Sequence, residues 1–221
     1  MENHKETFFE SYGALAENID NDIIISGRNN FQQDSVTHIV DDVVTKLKPQ
    51  KTDNLLEIGC NIGLLLNPLS QMLNATPGID HVSLIKKLEN KTVSDNVTFI
   101  PGEWPNLKLD HHFDCVLVYY FIHCLPDREF SMRFINMAMD ILTPGGRLLI
   151  GDLPNEDMRQ RFMDSPTGDK VAQAYNTQRD EDAKNENVAK NNQARSTDWP
   201  NNNNDFVYNQ YILEEQINAH R

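Results

Sequence analysis

Residues Asn54 to Leu69 read NLLEIGCNIGLLLNPL, an apolar strand that ends at an acid and passes through a small-residue turn into an apolar helix. Few other folds place a carboxylate and two glycines, Gly59 and Gly63, between a buried strand and a helix. Each residue type has a physical reason to be there. Glycine lets the backbone take φ > 0 and lets a ligand approach the main chain with no Cβ in the way. The start of the helix presents free N–H groups to a carboxylate or phosphate, and an acid beside them suits a ligand that also carries an amine. A dinucleotide fold wants G-x-G-x-x-G with an apolar residue before the first glycine. Here Glu57 stands two positions before Gly59, and Gly63 comes four after it, so nicotinamide binding is disfavoured.

With 221 residues, 39% of them hydrophobic, the chain has enough apolar surface for one sizeable α/β core. One domain over residues 1–221 is expected. No run approaches the ~20 apolar residues of a membrane span, and the start MENHKETFFESYG lacks the basic-then-apolar order of a signal peptide. Cys60, Cys115 and Cys124 lie in or beside apolar segments with no C-x-x-C spacing, so they read as reduced core residues. The expectation is a cytoplasmic chain without a metal. A net charge of −13 repels polyanions, which argues against nucleic acid and for a small-molecule ligand.

Along the chain, Phe8 to Ile19 and Asp34 to Leu47 carry apolar residues at helical intervals, with Asp34 a candidate N-cap. Residues 1–50 are read as a helical cap over the site, residues 51–153 as the ligand-binding core. In the core, Leu64 to Leu73 is helical, and strands and helices then alternate. Strand Gly78 to Asp80, helix Val82 to Leu88, strand Val97 to Ile100, strand Asp114 to Tyr120, helix Asp127 to Leu142 and strand Arg147 to Gly151 follow in turn. The long helix is stopped by Thr143-Pro144-Gly145-Gly146. Such alternation implies parallel crossovers and a sheet covered on both faces. Residues 154–221 supply acceptor-side helices. Within them Asn176 to Asn204, including the run Asn201 to Asn204, is polar enough to form a flexible loop or lid, and Phe206 to Ile217 reads as a last helix.

The segment Leu55 to Gly63 resembles motif I of the class I S-adenosylmethionine (SAM) dependent methyltransferases, [DE]-x-G-x-G-x-G, with Asn61 where the middle glycine usually stands. Asparagine tolerates the left-handed region better than most residues. The resemblance extends from Asn54 to about Asp152. It implies a Rossmann-like three-layer α/β sandwich with a mostly parallel sheet of order 3-2-1-4-5. The family's sixth and seventh strands find no apolar run after Gly151, so Leu148-Leu149-Ile150 is expected at an exposed edge. Such an edge invites pairing with a second copy of the chain, unless the last helix shields it or the chain is a truncated form.

The resemblance also implies a cofactor, SAM, with S-adenosylhomocysteine (SAH) as its product. In that reading Glu57 takes the methionine ammonium, and Gly59, Cys60, Asn61 and Gly63 wrap the methionine and ribose. Asp80, followed by His81, accepts from the ribose hydroxyls; the other reading of Asp80 is a helix N-cap. Gly102, Glu103 and Trp104 fall where the family holds adenine, with Trp104 offering a flat face or sitting as an ordinary half-buried loop residue. Tyr119 or Tyr120 lines the methyl-transfer pocket, because consecutive strand residues face opposite ways.

His123 is a candidate base if the acceptor is a hydroxyl, since imidazole titrates near neutral pH; a purely structural hydrogen bond is the other reading. Asp152 binds acceptor, acts as base or caps the next helix. The stretch from Gly151, GDLPNEDMRQRF, is similar to methyltransferases of polysaccharide and nonulosonic-sugar biosynthesis, and Arg159 and Arg161 would then meet an acidic or phosphorylated sugar, or simply be solvated. Together these features imply methyl transfer to a small molecule, with a sugar or sugar-nucleotide hydroxyl as one acceptor. The alternative is a protein that keeps the fold and works as a non-catalytic binding or assembly partner.

Overall fold

The computed structural model describes residues 8–28, 35–91, 94–153 and 155–184, in two units, Met1–Gly151 and Asp152–Arg221. The first unit is built outward from its innermost strand. That strand, β1 (Leu55–Ile58), is buried at every position, as a parallel strand with helices on both faces must be. It lies between β2 (Thr76–Asp80) and β4 (Phe113–Tyr119), with β3 (Val97–Pro101) outside β2 and β5 (Leu142–Gly151) outside β4. All neighbours are parallel, in the order β3-β2-β1-β4-β5 expected from the sequence. The order in which successive strands are added to the sheet reverses between β1 and β4, and ligands in open α/β sheets gather at that crevice, beyond the carboxyl ends of the strands.

Register brings those ends together: Ile58 lies opposite both Ile79 and Val118, Asp80 opposite Pro101, and Tyr119 opposite Gly151. On one face α3 (Ser35–Leu47) lays Val40, Val43 and Leu47 against Leu55, Cys115 and Leu117. On the other, α5 (Val82–Glu89) packs Ile85 and Leu88 with Cys60, Leu66 and Val97. The helix α6 (Arg128–Asp140) is capped by Asp127, whose carboxylate accepts from Phe130 N–H at 2.7 Å. The cap α1 (Phe8–Asn18) and α2 (Asp22–Ile25) forms its own apolar cluster, in which Ala16, Ile19 and Ile25 meet Ile62 and Leu84 of the core.

Two elements differ from their sequence reading. The helix after the first turn is only α4 (Leu66–Ser70): the Pro68 ring crowds the carbonyl four residues back, so the helix does not begin at Leu64, and past Ser70 the N–H groups of Met72 and Leu73 bond three residues back, to Leu69 and Ser70. Strand β5 starts at Leu142 rather than Arg147. Phe113 pairs with Leu142 and Cys115 with Arg147, so Thr143 to Gly146 is an irregular insert in the strand as well as the stop for α6. No further strand follows Gly151 among the described residues.

The edge at Leu148-Leu149-Ile150 is half-buried rather than open, with Leu149 packed against the cluster beneath α3. Arg147 fixes that strand. Its guanidinium donates to the Lys48 carbonyl at 2.6 Å, to the Asp53 carboxylate and to Cys115 Sγ at 3.4 Å. Asp53 is buried and also accepts from Gln50 N–H at 2.9 Å.

In the second unit, α7 (Glu156–Met163) is capped by Asn155, which accepts from Met158 N–H at 3.0 Å, and a tight turn leads to α8 (Pro166–Lys184). A Cβ on Gly168 would fall 1.9 Å from the Phe162 carbonyl oxygen, so only glycine fits that corner. The polar loop expected from Asn176 is helical as far as Lys184. The Asp34 cap, the Asn201 to Asn204 run and the helix at Phe206 to Ile217 lie outside the described residues. Among the described residues no helix is long and apolar enough to cross a membrane.

Replacing Arg147 by methionine strands the Asp53 carboxylate. It should cost about 1–3 kcal/mol, between the values for exposed and buried pairs. Urea unfolding of the two proteins measures it, and equal midpoints would show that the network does not secure β5.

Candidate functional site

Glu57 is the penultimate residue of β1 and is 3% exposed. Its Oε2 accepts no hydrogen bond among the described residues. Burial lifts its carboxyl well above the ordinary carboxylate range, the charge of Asp80 pushes the same way, and Arg28 opposes both. An unsatisfied buried oxygen costs about 1–3 kcal/mol, more if charged, and among the described residues no donor offsets that cost for Glu57.

The turn after it takes its shape from three left-handed residues: Gly59 at φ 80°, Asn61 at φ 50° and Gly63 at φ 76°. At Gly59 a Cβ would strike the Phe121 ring at 2.3 Å. Two successive N–H groups, of Gly59 and Cys60, converge on the Ile79 carbonyl at 2.9 and 3.1 Å, locking the turn to β2. Cys60 contributes backbone only, because its side chain belongs to the core beneath α5.

Asp80, at the end of β2, takes Asn61 N–H on Oδ2 at 2.6 Å and its neighbour His81 N–H on Oδ1 at 2.7 Å. Burial pushes its carboxyl up to about 6, and those two N–H groups with the His81 ring restrain the rise. A carboxylate has roughly four lone-pair sites, so both oxygens keep acceptor capacity. The N-cap reading of Asp80 is corrected: His81 caps α5, its Nδ1 accepting from Ser83 N–H at 3.2 Å. The His81 ring also meets Phe9 at 4.9 Å and Glu10 Oε2 at 3.6 Å. That imidazole is therefore turned to the cap, not to the turn.

Gly102 follows β3 and donates its N–H to the Asp80 carbonyl at 2.9 Å, which sets the next loop beside β2. Glu103 is half-buried, and its Oε2 accepts from Asn106 Nδ2 at 2.8 Å. Trp104 does not offer an open face. It is 3% exposed, and its indole N–H donates to the Phe134 carbonyl of α6 at 3.4 Å. An indole that must satisfy its N–H in the interior is held by the core.

The two tyrosines have different surroundings. Tyr119 lies on the α3 side of the sheet, its ring where a Cβ on Gly151 would come within 2.3 Å. Tyr120 leaves the strand at φ 53°, a region bulky residues rarely enter, with its N–H bonded to the Gly151 carbonyl at 3.1 Å. Its ring stands 4.5 Å from that of His123 and 5.5 Å from the Arg28 guanidinium carbon. His123 is half-buried in a short 3₁₀ turn, Ile122–Cys124. Gly27, at φ 80°, admits this grouping: a Cβ there would come 2.7 Å from the Tyr12 hydroxyl and 3.1 Å from the Tyr120 ring.

Arg28 was not singled out from the sequence. It sits in a polar stretch without periodicity, and the only local signal was a lone cation after the apolar run Ile23 to Ile25. Asp152, exposed and at φ 56°, opens the second unit, and Arg161 of α7 is also exposed. Among the described residues no group of three or more His, Cys, Asp or Glu side chains gathers as around a metal ion.

The family described as a methyltransferase domain matches residues 30–214, well over half the chain. Solved structures of similar fold include N-methyltransferase NodS from Bradyrhizobium japonicum WM9 with SAH, 19% identical over 68% of this chain and 76% of that one, TM-score 0.56. A complex described as DhpI-SAM-HEP is 18% identical over 75% and 74%, TM-score 0.58. Phosphoethanolamine N-methyltransferase 1 of Haemonchus contortus, solved with phosphoethanolamine and SAH, is 21% identical over 64% of this chain, TM-score 0.56, and this chain spans only 31% of its length. No curated protein sequence matches.

A carboxyl raised by burial binds its proton more tightly folded than unfolded, so its stabilising contribution is present at low pH and lost as pH rises through the folded value. Replacing Glu57 by glutamine removes the charge. The melting temperature without ligand should rise by about 2–4 °C at pH 8, the shift that ~1 kcal/mol gives a chain this size, and the gain should shrink toward pH 5. A Tm that falls, or a gain independent of pH, would contradict this account of Glu57.

Proposed function

Because this chain belongs to the class I SAM-dependent methyltransferase domain family, we propose that it transfers a methyl group from SAM to a small-molecule acceptor held at the carboxyl edge of its sheet. The observation that carries the reading is the buried Oε2 of Glu57, which accepts no hydrogen bond among the described residues, directly before a turn of three left-handed residues. SAM supplies an electrophilic methyl group on a sulfonium.

The residues fit that cofactor in kind. Glu57 offers an unfilled acceptor to its ammonium, and Gly59 to Gly63 offer a backbone that a ligand can approach closely. Asp80 keeps acceptor capacity on both oxygens for the ribose hydroxyls, and the half-buried Glu103 stands after β3 for the adenine amine. Arg28, whose charge already acts on Glu57, is suited to the cofactor's carboxylate. Positioning supplies much of the catalysis in a methyl displacement. Tyr120 and His123, packed ring to ring at 4.5 Å, are our choice for the residues that orient the acceptor, with His123 Nε2 or Nδ1 taking the proton of a hydroxyl acceptor.

The acceptor class we test first is a sugar or sugar-nucleotide hydroxyl. It rests on the similarity of the GDLPNEDMRQRF segment to methyltransferases of polysaccharide and nonulosonic-sugar biosynthesis, and on the charge of −13, which disfavours polyanions. Binding of SAM without turnover on any acceptor would favour the non-catalytic partner instead.

Calorimetry with SAM, SAH and NADH tests the cofactor assignment: heat is expected with the first two alone. Glu57→Ala should weaken SAH binding by about 10- to 100-fold, the loss of one charged hydrogen bond, while the far-ultraviolet circular dichroism stays that of the parent. Unchanged affinity would defeat the assignment. His123→Ala should leave SAH affinity intact and lower kcat about 10²- to 10⁴-fold on a hydroxyl acceptor; a loss of affinity with kcat preserved would remove His123 from the proton transfer.

A further inference from the structure

Asn61 departs from the family pattern at the middle of the turn, and its side chain has a use that glycine cannot supply. Its backbone is left-handed, at φ 50°. Its main-chain N–H goes to Asp80 Oδ2 at 2.6 Å, a bond any residue with this backbone would make. The amide side chain adds two more. Oδ1 accepts from Ile62 N–H at 2.8 Å, within the turn, and Nδ2 donates to the Ile25 carbonyl at 3.1 Å, in the N-terminal cap.

Ile25 is fully buried at the end of α2, packed with Ala16, Ile19, Ile62 and Leu84. Three residues later comes Arg28. The connection between them is a tight one: Gly27 N–H returns to Ile24 O at 3.0 Å and Arg28 N–H to Ile23 O at 3.1 Å. The position of Arg28 therefore follows that of α2. The rest of the cap is tied to α5, away from the turn, by Ser83 Oγ donating to Glu17 at 2.7 Å and Lys87 Nζ to Ile19 O at 2.7 Å.

We propose that Asn61 is a positioning residue, tying the cofactor turn to α2 so that Arg28 is held in its place beside Tyr120 before ligand arrives. The inference rests on the reading of this turn as the SAM site. A site that must bring one anion and one cation of the same ligand onto Glu57 and Arg28 benefits from having both in place, because ordering them on binding subtracts from affinity. Glycine would permit the turn but leave only the apolar packing of Ile62 between it and the cap. Asparagine permits the turn and adds the hydrogen bond to Ile25.

The experiment is a double-mutant cycle on the full chain with SAH as the probe, read by calorimetry. Asn61→Gly keeps the left-handed backbone and, with two side-chain hydrogen bonds gone, should lower the melting temperature by only a few degrees. It should weaken SAH binding about three- to tenfold, the worth of one net hydrogen bond. Arg28→Met should weaken binding on its own, and adding Asn61→Gly to it should cause no further loss, since the effect of Asn61 passes through Arg28.

Asn61→Asp keeps tolerance of the left-handed region and the bond to Ile62 N–H but has no donor for Ile25. It should repeat the effect, and it serves if the glycine variant folds poorly. Without any ligand, amide hydrogen exchange at residues 23–28 should be faster in Asn61→Gly than in the parent. Parent-like affinity in both Asn61 variants, strictly additive losses in the cycle, or unchanged exchange would each overturn the proposal. Failure of the parent chain itself to bind SAH would instead defeat the cofactor assignment, and this inference with it.

Discussion

Glu57, next to last in the innermost strand of the sheet, has a carboxylate oxygen that accepts no hydrogen bond among the described residues, and the structure around it must hold that oxygen in place. Burying a charge is tolerated only where something returns the lost hydration. Here the nearby Asp80 makes matters worse and Arg28 only partly offsets it. The sheet is what maintains the arrangement. Four buried residues in β1, paired on both sides, fix the carboxylate against a gradient that would otherwise expel it. Stability is given up at one point, and under the proposed function the return is an acceptor that a cationic group finds desolvated and already in place.

The second acid shows the same logic with a different outcome. Asp80 is also buried, yet two backbone N–H groups meet its oxygens, and its carboxyl settles at about 6. One of those donors is Asn61, in the turn that Glu57 leads into. The turn and the two carboxylates thus form one unit: the left-handed backbone at Asn61 aims an N–H at Asp80, and the carboxyl-end register of β1 and β2 places both acids at the same sheet edge. Two acids in environments this different have different proton affinities, as the separate roles proposed for them require.

Much of this was legible in the sequence because it is local. The strand-acid-turn-helix order around Glu57, the acid closing β2 and the alternation of strands with helices are each contained in a few consecutive residues, and the sheet order followed from the resemblance they support. What escaped depends on contacts between segments far apart in the chain. Arg28 gains its place only because α2 packs on Ile62 and Leu84. Trp104 is core rather than platform because its N–H finds the Phe134 carbonyl thirty residues on. For Tyr119 and Tyr120, alternation announced that one faces each way, but the left-handed step at Tyr120 and the close approach of Gly151 to Tyr119 decide which. The irregular insert in β5 was hidden for another reason: Pro144 and the glycines beside it stop a helix and bulge a strand equally well.

The N-terminal cap changes what the turn can do. In a bare strand-turn-helix unit the ligand meets backbone and one acid, and a positive counter-group must come from elsewhere. Here the cap brings Arg28, Tyr12 and Gly27 toward Tyr120 and His123, two of them by the close approaches that only a glycine at position 27 allows. The cap is fastened at both ends, to α5 through Glu17 and Ile19 and to the turn through Asn61. A segment fastened at both ends and packed through its own apolar cluster loses little further entropy when a ligand binds beneath it. That preorganisation follows from side chains in the turn and on α5 rather than from the cap's own sequence, which is why so featureless a stretch can place Arg28 beside Tyr120.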